Sequence, residues 1–125
     1  MTDTGSLDRP EVNYCVFTGR VIRREGLRMT SGGYFTLVFF VENTMDRGRE
    51  ADDRETRVAS NTLRVISWGR SAQALDDKVR VGSEVLVEGY LSSLDYEDRS
   101  KATHHRMEVT ARSVQVLQDP DTSRP

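Results

Sequence analysis

A single window of this chain carries a helical period, and its place among the β-type runs limits the fold more than any other feature. The window is residues 70–79, RSAQALDDKV, with Ala72, Leu75 and Val79 at spacings of three and four. Ser71 is placed to serve as its N-cap. Three runs rich in β-branched and aromatic residues precede the window and two follow it. The first is residues 13–24, NYCVFTGRVIRR, where Gly19 predicts a bulge or a sharp bend. Ser31-Gly32-Gly33 then makes a turn. Residues 34–43, YFTLVFFVEN, are almost continuously apolar. Both faces of that strand are therefore expected to be covered, one by the core and one by a ligand or another subunit. Residues 61–68, NTLRVISW, are the third run. Residues 80–93, RVGSEVLVEGYLSS, give a turn and then the fourth, with Gly89 inside it. Residues 104–117, HHRMEVTARSVQVL, are the fifth, with Met107, Val109 and Ala111 on one face.

Residues 44–60 carry mixed charges and almost no apolar side chains, which predicts a long mobile hairpin loop; residues 94–103 predict a second polar loop. Residues 1–12 read as a flexible N-terminal arm and residues 118–125 as a short polar tail. One domain remains, over residues 13–117. Three strands, one short helix and two strands are the layout of an all-β, five-stranded oligonucleotide/oligosaccharide-binding (OB) barrel with its helix between strands 3 and 4.

The formal charge of −2 by itself argues against a polyanionic partner. The acidic excess sits at the ends, however: residues 13–117 hold 16 basic and 15 acidic side chains, so local patches matter more than the total. Of the 18 basic residues only Lys78 and Lys101 are lysines. Arginine grips phosphate bidentately and stacks on flat rings, although genomic base composition alone gives the same bias. No stretch approaches the ~18 apolar residues of a membrane span, and residues 1–11 lack the apolar core of a signal peptide. The single Cys15 forms no intrachain disulfide and fits a reducing compartment. In mid-strand, without a nearby His, it reads as a small buried hydrophobe rather than a nucleophile. His104 and His105 are adjacent, which on a strand sends their rings to opposite faces instead of to one metal. No phosphate-binding glycine loop or nucleophile–base–acid set can be assembled. The chain thus reads as no enzyme, with no cofactor and no metal.

Binding finds more support. Alternation along residues 61–68 puts Thr62, Arg64, Ile66 and Trp68 on one face and Leu63, Val65 and Ser67 on the other. Arg64 and Trp68 are then roughly 13 Å apart at ~3.3 Å per residue, about the span of two stretched nucleotides. Arg70 follows just past the strand end. A flat ring flanked by guanidinium groups suits single-stranded nucleic acid, with stacking for the bases and charge for the backbone. Arg20, Arg23, Arg24 and Arg28 form a cluster opposed only by Glu25, and Tyr96 offers a second ring with Arg99 and Lys101 beyond it. Each feature also has a plainer reading. Trp68 could seal the barrel end, the arginines could be a solvated edge that discourages strand-to-strand aggregation, and Tyr96 could pack on its own hairpin.

The segments NYCVFTGRV, SGGYFTLVFFVEN, NTLRVISWGRSAQAL, VGSEVLVEGYL and HHRMEVTARSVQVL follow one another from about Asn13 to Leu117. The most specific parts are the step Trp68-Gly69-Arg70, the Ala-containing helix and the segment GSEVLVEG from Gly82 to Gly89. In these the chain resembles the bacterial and mitochondrial single-stranded DNA-binding proteins. The resemblance implies an OB fold that assembles, usually into homotetramers, and wraps single-stranded DNA with little sequence preference. It implies base stacking by Trp68 and Tyr96, and phosphate contacts by Arg28, Arg64 and Arg70. Charge adds Arg20, Arg23, Arg24, Arg99 and Lys101 to the phosphate-binding set. Two further stacking positions of the family fall near Thr62 and Asp46, which have no ring. Phe35, Phe39 and Phe40 are candidates to compensate, but one strand cannot turn all three to the groove.

The expected function is a single-stranded DNA-binding protein that coats and protects exposed strands in replication, recombination or repair. It is expected to work as a homotetramer in the bacterial cytoplasm, at the nucleoid. The second strand and the Tyr14/Val16/Thr18 face of the first are the candidates for burial between subunits. Replication or repair proteins are secondary partners on this reading. Asp119 and Asp121 have no terminal hydrophobe after them, so recruitment through an acidic tip is not carried over. The two missing rings favour one alternative, a primosomal-type OB adaptor that binds replication proteins, with DNA secondary.

Overall fold

Each β-type run finds its partner through the alternation of its apolar residues, and the pairings close a ring. The computed structural model describes residues 9–46 and 58–120. They form β1 (Cys15–Arg24), β2 (Arg28–Met29), β3 (Phe35–Asp46), β4 (Val58–Trp68), α1 (Arg70–Asp76), β5 (Glu84–Glu97) and β6 (Thr103–Gln118). β1 pairs antiparallel with both β3 and β5, β3 with β4, and β5 with β6. A parallel contact between β4 and β6, at Val65–Val109 and Ile66–Thr110, completes the ring. β2 is a two-residue partner for the start of β3. The barrel proper therefore has five strands, with α1 between the third and fourth, which is the expected OB layout.

Period-two alternation sorts the strands into an inside and an outside. Leu37, Phe39 and Val41 of β3, Val65 of β4, Val87 of β5 and Val109 of β6 are buried in the core. Ala72 and Leu75 of α1, with Val79 in the turn after it, pack into the same core. Burying each such Val, Leu or Phe contributes about 1.5–3 kcal/mol relative to exposure, and this packing is what holds a seven-residue helix that could not stand alone. The carbonyl end of α1 is secured by Arg24. Its guanidinium donates to the carbonyls of Asp76 (2.7 Å) and Val79 (2.6 Å) and to the Asp76 carboxylate. At the other end the N-cap is Gly69, whose φ of 69° favours glycine. Ser71 lies inside the helix, which corrects the N-cap expectation. Among the described residues no helix is long and apolar enough to cross a membrane.

The polar loops are shorter than their composition suggests. β3 runs on to Asp46 and β4 begins at Val58, with pairs from Asn43–Asn61 through Asp46–Val58. The remainder of the expected 44–60 loop, residues 47–57, lies outside the described residues. β5 likewise reaches Glu97 and β6 starts at Thr103, leaving residues 98–102 as the turn in place of a 94–103 loop. These ends stand out from the barrel with little buried side-chain surface, so no apolar period marks them as strand. The register shift of β1 falls between Val21 and Arg23 rather than at Gly19. β5 has two against β6, at Glu84–Val85 and at Glu88–Gly89, where a Cβ on Gly89 would overlap the Thr110 carbonyl. The expected arm and tail lie mostly outside the described residues. β6 takes in Gln118, and the Asn13 side chain is tied to the Leu91 backbone by two hydrogen bonds of 2.8 Å.

Candidate nucleic-acid interface

The outer surface of β3 and β4 is the part of an OB barrel that commonly meets a ligand. Cross-strand register sets three rows on it. Thr36 stands opposite Trp68, Val38 opposite Ile66, and Phe40 opposite Arg64. Thr36, Val38 and Ile66 are buried and form a floor. Trp68, at one end, is 47% exposed, so it faces outward and does not seal the barrel. Arg28 of β2 stands opposite Thr36, which puts Arg28, Thr36 and Trp68 in one row across three strands. At ~4.8 Å between strands, the backbones of Arg28 and Trp68 are about 10 Å apart.

At the other end Arg23 lays its guanidinium over Phe40, 4.0 Å from the ring centroid. Phe40 is the phenylalanine turned to this face; Phe39 is wholly buried and Phe35 packs against the core. The sequence leaves the choice among the three open. The phase of β3, with Leu37, Phe39 and Val41 inside, makes it.

Arg64 lies on the same face as Trp68, as alternation predicts, but it is not free. It is ion-paired with Glu108 of β6, and only 17% and 10% of the two side chains are exposed. Burial, then the neighbouring Arg106, push the guanidinium below its usual value, though an arginine stays charged. Arg64 and Glu108 thus form a mutually neutralised pair at the Phe40 end of the floor. Arg24 is taken up by α1, as described. Arg20 lies 3.9 Å from Glu42 and Arg28 3.7 Å from Glu25. Exposed pairs of this kind are worth at most ~1 kcal/mol, so another anion can readily replace the carboxylate. Arg70 opens α1, and Arg99 and Lys101 lie in the β5–β6 turn; all three are exposed, with no ion-pair partner among the described residues.

The β5–β6 hairpin carries the second ring. Tyr96 stands opposite His104 with the ring centroids 5.0 Å apart and the planes 19° from parallel. The Arg106 guanidinium lies 4.9 Å from the Tyr96 ring. Tyr96 thus packs on its own hairpin and still keeps an exposed surface. His104 is hydrogen-bonded to Asp98 at 2.6 Å and His105 to Asp95 at 2.8 Å. Bonds from His104, then Ser100 and Ala102, lower the Asp98 carboxyl to about 2. Further along, Arg112 lies 5.2 Å from the Tyr90 ring. Tyr90, Arg106, Glu108 and Arg112 all escape sequence reading, and Phe40 is there only one of three candidates. Their pairings join different strands, so only the register reveals them.

Residues 12–117 match the Single-strand binding protein family. The chain is 42% identical over 106 residues to a single-stranded DNA-binding protein of Helicobacter hepaticus, a match covering 84% of this chain and 61% of that protein. It is 26% identical over 108 residues to single-stranded DNA-binding protein 2 of Chlorobaculum tepidum, covering 86% and 72% of the two chains. Against a single-stranded DNA-binding protein of Oceanobacillus iheyensis the identity is 28% over 107 residues, covering 86% and 64%. The chain thus spans less than two thirds of the Helicobacter and Oceanobacillus proteins. A solved structure of a Plasmodium falciparum SSB in complex with ssDNA shares the fold, with a TM-score of 0.74 at 18% identity over 90% of this chain and 100% of that one. The matched range takes in the whole barrel from β1 to all but the last residue of β6, and on that ground the chain belongs to the Single-strand binding protein family.

Proposed function

We propose that this protein binds single-stranded DNA, coating and protecting exposed strands in replication, recombination or repair with little sequence preference and without catalysis. The observation that carries this reading is the outer face of β3 and β4, where Trp68 and Phe40 stand at the ends of an apolar floor bordered by arginines. Every base has a flat face, so stacking is tolerant of sequence, while arginines hold the shared phosphate backbone. The names of the bacterial relatives support the choice of ligand.

On this reading Trp68 stacks on one base, and the Tyr96–His104 pair offers a second platform. Arg28, Arg70 and Arg23 contact phosphates near the floor, with Arg20, Arg99 and Lys101 at the rims. Arg64, held by Glu108, shapes the floor, and Arg24 serves α1. One barrel covers only a few nucleotides, so the working form is a homotetramer, with Tyr14, just before β1, and Val16 of β1 exposed and available for burial between subunits. The setting is the bacterial cytoplasm, at the nucleoid.

Titration with oligo-dT tests the reading directly, because Trp68 is the only tryptophan. Quenching of its fluorescence in step with binding is expected, with weaker binding to duplex DNA. Binding without any change in the Trp68 signal would remove that ring from the interface. Absence of binding at low salt would overturn the reading as a whole.

A further inference from the structure

β6 has two edges, and only one is used along its whole length. Through residues 111–118 it pairs with β5. On the other side its pairing with β4 ends at Thr110. Arg112–Gln118 therefore presents an unpaired backbone edge, roughly 24 Å long at ~3.4 Å per residue. α1 packs on β3 and β4, and a groove separates it from this edge. A cavity of about 250 Å³, lined in part by Ser67, Leu75, Lys78 and Val114, adjoins one of about 570 Å³ that shares Leu75, Lys78 and Val114. The second adds Val116 and Leu117, and both of these continue into a third cavity of about 430 Å³ that reaches Arg80.

The chemistry of the groove narrows what can occupy it. Its lining mixes the aliphatic Leu75, Val114, Val116 and Leu117, the last 56% exposed, with polar and charged side chains, and among the described residues it holds no aromatic ring on which a base could stack. At its inner end the Ser67 hydroxyl is buried and has no hydrogen-bond partner among the described residues. Among the described residues, Lys78 and Arg112 are the only charged ones lining the first two cavities. Asp77 and Asp119 enter only in the third, beside Arg80. An open strand edge calls for a backbone, the aliphatic part of the lining for some aliphatic side chains, and the cations for carboxylates.

We propose that the groove is a docking site for an extended acidic segment of another protein, which adds to β6 as a further strand. Its backbone pairs with Arg112–Gln118, its apolar side chains rest on Leu75 and Leu117, and its carboxylates meet Lys78 and Arg112. The site does not depend on the DNA reading, since it uses neither Trp68 nor the floor between β3 and β4. The probe is a fluorescein-labelled decapeptide alternating aspartate with leucine and valine, compared with the same peptide carrying lysine for aspartate. Anisotropy on the full chain reads binding, and amide hydrogen exchange reads its place. The expected result is binding of the aspartate peptide alone, with slowed exchange within residues 112–118. Lys78→Glu should weaken binding at least tenfold and Leu117→Ala several-fold; both positions are exposed, so the fold tolerates the changes. Three outcomes overturn the proposal. They are equal binding of both peptides or of neither, protection confined to residues 36–40 and 64–68, and peptide-free protection of residues 112–118 that grows with protein concentration, the mark of a second copy.

Discussion

Removing the Trp68 indole takes away the exposed ring at one end of the floor between β3 and β4. Trp68→Ala should weaken oligo-dT binding by roughly 5- to 150-fold, equivalent to about 1–3 kcal/mol for one stacked base, as read by anisotropy with labelled DNA. Arg64 should behave differently. Arg64→Met leaves the Glu108 carboxylate buried without its partner, and a loss of about 3 kcal/mol is expected in urea unfolding. Arg64→Met together with Glu108→Met should recover most of that loss. In DNA binding, Arg28→Ala should reduce the salt slope by about 0.7, the value for one phosphate on a single strand, whereas Arg64→Met should leave the slope nearly unchanged. Alternation along β4 is enough to put Arg64 beside Trp68. It says nothing of Glu108, which lies 44 positions further on and meets Arg64 only through the closure of the barrel.

Among the elements, α1 depends on a residue outside itself. Arg24→Ala deprives its last carbonyls of their donor and should lower stability by about 2 kcal/mol in thermal unfolding, with the salt slope of DNA binding unchanged. The helix itself is legible in the sequence, since Ala72, Leu75 and Val79 repeat at helical spacing and all three are buried. Its clamp is not, because an arginine among Arg20, Arg23, Arg24 and Arg28 carries no local mark of its destination. Phe39 and Phe40 show the same limit: two adjacent rings in an apolar run have no readable phase until β4 fixes it. The β5–β6 hairpin is sensitive to acid. The Asp98 carboxyl titrates at about 2, below its ordinary value of 3.8. A lowered carboxyl favours the folded hairpin while ionised, so its contribution is full above about pH 4 and disappears as the pH falls through 2. Cross-strand NMR contacts between Tyr96 and His104 should persist at pH 5 and fade by pH 2, and Asp98→Asn should weaken them already at pH 5.

At the scale of the whole molecule, the exposed Tyr14, just before β1, and Val16 of β1 are the apolar side chains that assembly would cover. Light scattering should return a mass near four chains, and Val16→Asp should lower it; an unchanged mass for that variant would move the subunit contact elsewhere. The barrel was legible because the helix stands between the third and fourth β-type runs. The unequal strengths of its seams were not, because pairing length follows from where each strand bends. β3 and β4 are joined along an eleven-pair ladder, and β5 and β6 along almost their full length, yet β4 meets β6 at only two pairs. Trp68 belongs to the first ladder and Tyr96 to the second. The two ladders are joined on one side through β1, which pairs with both β3 and β5, and on the other only by the two-pair clasp of β4 and β6. The clasp is the seam that gives at least cost, and the spacing between Trp68 and Tyr96 is set across it. A polymer whose bases sit at variable distances is well matched by a receptor whose own gauge can slide.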